Sequence, residues 1–122
     1  MKPAQKPLIL KLSRLHCYFV EENEYDDVYL KYQGEKIWPL DKKQQPIKMD
    51  TTTELDIEIT DISGSKQVEI ELWDWDFFTS DDKLGKFTLN VESESGECST
   101  DMELNAKETS KAKYTLDWQV IL

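Results

Sequence analysis

The chain has 122 residues and is 39% hydrophobic, with four Trp, five Tyr and four Phe. That is enough apolar material for one packed domain, and a disordered chain with 33% charged residues would be poorer in aromatics. The formal net charge of −10, from 25 acids against 15 bases, excludes a phosphate-gripping nucleic-acid binder and opposes simple electrostatic docking on anionic lipid.

Residues 1–7 are polar and lead straight into an apolar run. No stretch has the length and hydropathy of a signal peptide or a membrane span. Read with Met1 as the start, the chain is expected in the cytoplasm, meeting a membrane only peripherally or through a partner. Leu8, Leu10 and Leu12 then alternate with Ile9, Lys11 and Ser13, and apolar residues continue through Cys17, Tyr18, Phe19 and Val20. This predicts a long first strand, bulged near residues 14–17. Cys17 and Cys98 make no disulfide scaffold. They are one bridge or two thiols, and buried thiols suit strand residues better.

An acidic cluster over 21–27 precedes a strand over 28–32. Gln33-Gly34-Glu35 is a tight turn, and 36–38 pairs back as a hairpin. Residues 39–48 are polar with two prolines and predict a loop. Leu55, Ile57 and Ile59 alternate with Glu54, Asp56 and Glu58 in the next strand, and a turn over 63–66 follows. Val68, Ile70 and Leu72 form a further strand, as do Phe87, Leu89 and Val91. Between them lies Asp74-Trp75-Asp76-Phe77-Phe78-Thr79-Ser80-Asp81-Asp82-Lys83-Leu84-Gly85, a loop that Gly85 is expected to close. Residues 99–104 predict a weaker strand, 105–111 a polar connection, and Tyr114, Leu116, Trp118 and Val120 the last strand. Eight short strands without a helix predict an all-β, antiparallel eight-stranded β-sandwich. The chain is read as one domain over 1–122, with its ordered core from about residue 7 to the end.

The loop between the fifth and sixth of these strands holds Asp74, Asp76, Asp81 and Asp82, with no base before Lys83. Like charges so close repel, and a bound divalent cation would offset the cost, since hard cations take carboxylate oxygens. Alternatively the four carboxylates point apart into water.

The residues resemble a C2 domain, the β-sandwich family of calcium and lipid modules. Leu72-Trp73-Asp74-Trp75-Asp76, with Asp82 and Leu84-Gly85-Lys86 beyond, resembles that family's third calcium-binding loop. Asp26-Asp27-Val28-Tyr29-Leu30-Lys31 resembles the end of its first loop, usually Ser-Asp-Pro-Tyr-Val-Lys. Six residues before Asp27, where the family has another Asp, stands Glu21, with Glu22 beside it. Trp118 matches a late aromatic of the family's final strand. Glu for Asp at 21 and Val28 for Pro are departures, and neither touches the third-loop trio.

The resemblance implies Greek-key topology and a Ca2+ site made by Glu21 (or Glu22), Asp27, Asp74, Asp76 and Asp82. The carbonyls of Trp75 and Asp81 and water would complete it. It also implies that Phe77 and Phe78, at the tip of the loop, contact the membrane; the competing view packs one ring on the sandwich end. Scattered lysines and acidic strand faces argue against strong attraction to anionic lipid.

The expected function is therefore a calcium-binding module that docks to phospholipid or to a protein partner, as a monomer by default. The alternative is a calcium-independent protein–protein interaction domain on the same sandwich. An enzyme is not expected. His16 is the sole histidine and reads as a satisfied strand residue. There is no Cys or His metal cluster and no glycine-rich phosphate loop, and Asp-x-Asp enzymes need an α/β fold that this chain cannot supply.

Overall fold

The computed structural model of the chain describes residues 8–21, 24–62, 64–104 and 111–122. These carry ten strands: β1 (Ile9–Phe19), β2 (Tyr25–Tyr32), β3 (Glu35–Trp38), β4 (Gln45–Lys48), β5 (Thr51–Ile59), β6 (Gln67–Asp74), β7 (Asp82–Asn90), β8 (Cys98–Asp101), β9 (Glu103–Leu104) and β10 (Lys113–Ile121). Every pairing is antiparallel. One sheet runs β5-β1-β10-β8; the other runs β3-β2-β6-β7-β9, with β4 also on β2.

The expected sandwich is present with ten strands rather than eight. Residues 45–48 were expected in a loop, but they pair with Tyr25–Val28 along a stretch of β2 that β3 does not reach. The single strand expected over 99–104 is divided. Cys98–Asp101 joins β10 in one sheet and Glu103–Leu104 joins β7 in the other. Met102, whose N–H donates to the Tyr114 carbonyl, is the pivot.

The first strand shows how side-chain phase shapes backbone. Leu10, Leu12, Leu15 and Cys17 are all buried, yet the step from 12 to 15 breaks the period of two. A bulge absorbs the extra residue: Leu12 pairs with Trp118 and Arg14 with Asp117, which leaves Ser13 over. A second irregularity lies between Cys17 and Phe19. Both sit on or beside the stretch where a bulge was expected.

Elsewhere the alternating apolar positions point inward. Leu55 and Ile59, Val68, Ile70 and Leu72, Phe87 and Leu89, and Tyr114, Leu116, Trp118 and Val120 are buried in one core. Glu54, Asp56, Glu58 and Glu69 stay exposed. The β2–β3 hairpin turns through Gln33 and Gly34, both at positive φ (51° and 81°), the geometry that matches strand twist and favours glycine.

Both cysteines are free thiols. Cys17 is 1% exposed and burial pushes its thiol up to about 11, whereas Cys98 is only partly buried. Iodoacetamide at about pH 8 should therefore alkylate Cys98 in the native protein and reach Cys17 only after unfolding. Equal labelling of both in peptide mass maps would contradict this packing.

Candidate metal centre

Strand direction gathers the acidic segments. β2 starts at Tyr25, and β6 ends at Asp74, which pairs with both Val28 and Asp82. β1 ends near Lys113 and β5 starts opposite Cys17. The β1–β2, β4–β5 and β6–β7 connections therefore share one end of the sandwich.

Two of these connections are joined through Asp27. Its N–H donates to Asp74 Oδ1 at 3.0 Å, and its carbonyl accepts the Trp75 N–H at 2.7 Å. The β2–β6 ladder thus continues one step into the acidic loop. Beside it lies a hollow of about 330 Å³ lined by Glu24, Tyr25, Asp27, Asp74, Trp75, Asp76, Phe77 and Phe78. Three of the five expected ligands, Asp27, Asp74 and Asp76, face this one space.

Their environments differ. Asp74 is buried at 6% exposure. Burial, with the neighbouring charge of Asp26 second, raises the Asp27 carboxyl above the ordinary aspartate value. Asp76 Oδ1 accepts the N–H groups of Phe78 (2.9 Å) and Thr79 (3.2 Å). Those bonds, the one from Phe78 foremost, lower its carboxyl. The loop therefore folds back on Asp76 rather than splaying.

The remaining two expected ligands stand apart from the hollow. Asp82 pairs with Asp74 in the ladder but is exposed at the first position of β7. Glu21 is tied through its backbone, its N–H donating to both carboxylate oxygens of Asp26 at 3.1 Å. Glu22, the other residue considered there, lies outside the described residues. Gly85, expected to close the loop, lies inside β7 opposite Leu104; the loop closes at Asp82.

Two acids matter that the expected ligand set left out. Asp81 Oδ2 accepts the Tyr29 hydroxyl at 2.6 Å and its Oδ1 accepts the Asp76 N–H at 2.9 Å, which braces the loop on β2. Burial, followed by this bond, raises the Tyr29 hydroxyl. Asp26 is fully buried and accepts the Tyr114 hydroxyl at 2.6 Å. The second was legible: Asp26 has the same parity as the buried Val28 and Leu30, so alternation points it inward. Nothing local marks Asp81 over Asp82.

At the tip, Phe77 is 75% and Phe78 89% exposed. Their rings meet edge to face at 5.0 Å, and Phe77 meets Trp75 at 5.9 Å. Neither phenyl packs down into the sandwich core. Tyr25, 42% exposed, lines the same hollow.

Away from this end, His16 has both ring nitrogens engaged, Nδ1 with Thr52 Oγ1 and Nε2 with Asp117 Oδ2, each at 2.8 Å. Burial works to raise Asp117, but hydrogen bonds from Ser99 and His16 with nearby positive charge outweigh it and lower the carboxyl. The histidine is thus held within a polar network on the outer face of the β5-β1-β10-β8 sheet.

The hollow's oxygen donors suit a hard cation, and neither cysteine nor histidine lines it. Among the described residues, however, no group of three or more acid, histidine or cysteine side chains is arranged so that it could hold a metal ion. Asp74 Oδ1 already accepts the Asp27 N–H, and Asp76 Oδ1 already accepts those of Phe78 and Thr79.

A family model described as "C2 domain" matches residues 41–110. Among solved structures, a C2 domain (the A domain) of a plant extended synaptotagmin 1 is similar. It is 14% identical, with a TM-score of 0.54, and the alignment covers 95% of this chain and 95% of that one. No curated protein matches the chain as a relative. Among the described residues no helix is long and apolar enough to cross a membrane.

Proposed function

The chain belongs to the C2 domain family, whose members are generally non-enzymatic binding modules, and from that premise we propose that it is a calcium-binding module rather than an enzyme. The observation that carries the reading is one hollow lined by Asp27, Asp74 and Asp76 from two connections that the Asp27 backbone ties together. Asp27, Asp74 and Asp76 would hold the ion, with Asp82 and Glu21 turning in from either side. Calcium would add positive charge beside these carboxylates on a chain of net charge −10, and it accepts irregular shells of oxygen ligands.

The exposed Phe77 and Phe78 support a peripheral role at phospholipid membranes. Burying a phenyl side chain from water contributes about 1.5–3 kcal/mol, and this pair lies beside the proposed ion. Calcium would then screen the acids that otherwise repel anionic headgroups. Two bound ions still leave the chain strongly acidic, so the contact rests on the aromatics more than on charge. The contact would be peripheral, at the membrane surface.

The test is an amide NMR titration with calcium, followed by liposome co-sedimentation with and without calcium. Shifts should cluster at Asp27 and over 74–82, and Phe77→Ala/Phe78→Ala should reduce sedimentation while keeping those shifts. A chain that shows no shifts, or that sediments equally without calcium, sinks the reading. The second reading, a calcium-independent protein-binding domain, is favoured by one specific observation: Asp74, Asp76 and Asp81 are already satisfied by backbone and hydroxyl donors.

A further inference from the structure

A charge buried in a protein core can often be replaced by apolar residues without loss of stability, yet Asp26 is kept at 0% exposure. It lies next in sequence to the candidate ligand Asp27 and faces inward with Val28 and Leu30. Its two oxygens share the N–H of Glu21, and Oδ2 also accepts the hydroxyl of Tyr114 at 2.6 Å. Tyr114 is itself fully buried on β10, in the opposite sheet. Burial, with the charge and the hydrogen bond of Asp26 next, raises its hydroxyl, which therefore stays protonated as the donor.

We infer that the Asp26–Tyr114 pair is a positioning device for the cation site, fastening the β1–β2 connection to the core of the opposite sheet. The inference rests on the calcium reading above and adds two residues that do not themselves face the hollow. Its logic is geometric. Glu21 lies just past the end of β1, and Asp27 is the third residue of β2. Asp26 grips the backbone of the first and is covalently joined to the second, while Asp27 in turn receives the loop that carries Asp74 and Asp76. One hydroxyl in the core therefore supports both halves of the site.

Calcium titration by calorimetry and terbium luminescence, on wild type, Tyr114→Phe and Val120→Ala, tests this. Val120 is buried at the far end of β10, paired with Leu10, and controls for a general loss of core packing. Tyr114→Phe removes only the hydroxyl and should weaken both metals by about tenfold or more, as loss of a supporting partner does elsewhere. It should also speed hydrogen exchange at the Glu21 amide in metal-free protein, and Val120→Ala should do neither. Wild type that binds neither metal overturns the calcium reading and the anchor with it. Wild type that binds while Tyr114→Phe matches it within about twofold overturns the anchor alone. Equal weakening by Val120→Ala also overturns it, because the loss would then come from stability.

Discussion

Gly85→Ala should destabilise the domain by about 2 kcal/mol, near the middle of the range for overpacking a filled site. The reason is a close approach rather than a turn. A Cβ at residue 85 would overlap the carbonyl oxygen of Glu103 and come within 2.7 Å of Met102 Cγ and 2.9 Å of its sulfur. The methionine can swing away, but the carbonyl belongs to β9, which among the described residues pairs with β7 through Gly85–Leu104 and Lys86–Glu103. Relief therefore means peeling β9 off the sheet, and because Glu103 and Leu104 are exposed the core beneath survives. Urea unfolding should show a lower midpoint with little change in m. Hydrogen exchange should show lost protection confined to 102–104 and the facing part of β7. An alanine variant as stable as wild type would mean that Gly85 is not packed under β9.

Calcium should raise the melting temperature, and Asp74→Asn or Asp76→Asn should abolish the rise. At free calcium a hundredfold above Kd, binding to the native state alone adds about 2.7 kcal/mol, which for a domain of this size is roughly 10 °C. Asparagine keeps a side-chain oxygen for the N–H groups of Asp27, or of Phe78 and Thr79, so the loops retain their braces. Each substitution also removes one like-charge repulsion, about 1 kcal/mol for carboxylates near 4 Å apart in water. The metal-free variants should consequently melt at or slightly above the metal-free wild type. A chelator-treated wild type that melts at the same temperature as calcium-loaded protein would count decisively against the site. Melting curves in chelator and in millimolar calcium provide the measurement.

Most elements legible in the sequence were those whose burial repeats with a period of two, while β2 and β3 were marked by the Gln33-Gly34-Glu35 turn between them. β1, β5, β6, β7 and β10 announce themselves because Leu10/Leu12, Leu55/Ile59, Val68/Ile70/Leu72, Phe87/Leu89 and Tyr114 to Val120 each line one face. β4 does not. It offers one buried residue, Ile47, beside a proline, and it is a strand because β2 leaves an unpaired edge there. β8 and β9 read as one strand because 99–104 has no local break, and the Met102–Tyr114 bond that divides them comes from another strand.

The same division runs through the candidate site. Asp74-x-Asp76 and Asp27 were marked by the sequence, and all three border the hollow. Composition and alternation alone determined an acidic β-sandwich with carboxylates concentrated at strand ends, because a strand's inward and outward faces are a local property of every second residue. Tertiary structure decided which carboxylates face the hollow and which serve as props. Asp81 braces Tyr29, Asp26 holds Glu21 and Tyr114, and Asp82 stays outside. In a loop, a side chain's direction depends on donors brought by distant strands. Those donors, the N–H of Asp27 and the hydroxyls of Tyr29 and Tyr114, take their places only once the sheets have paired.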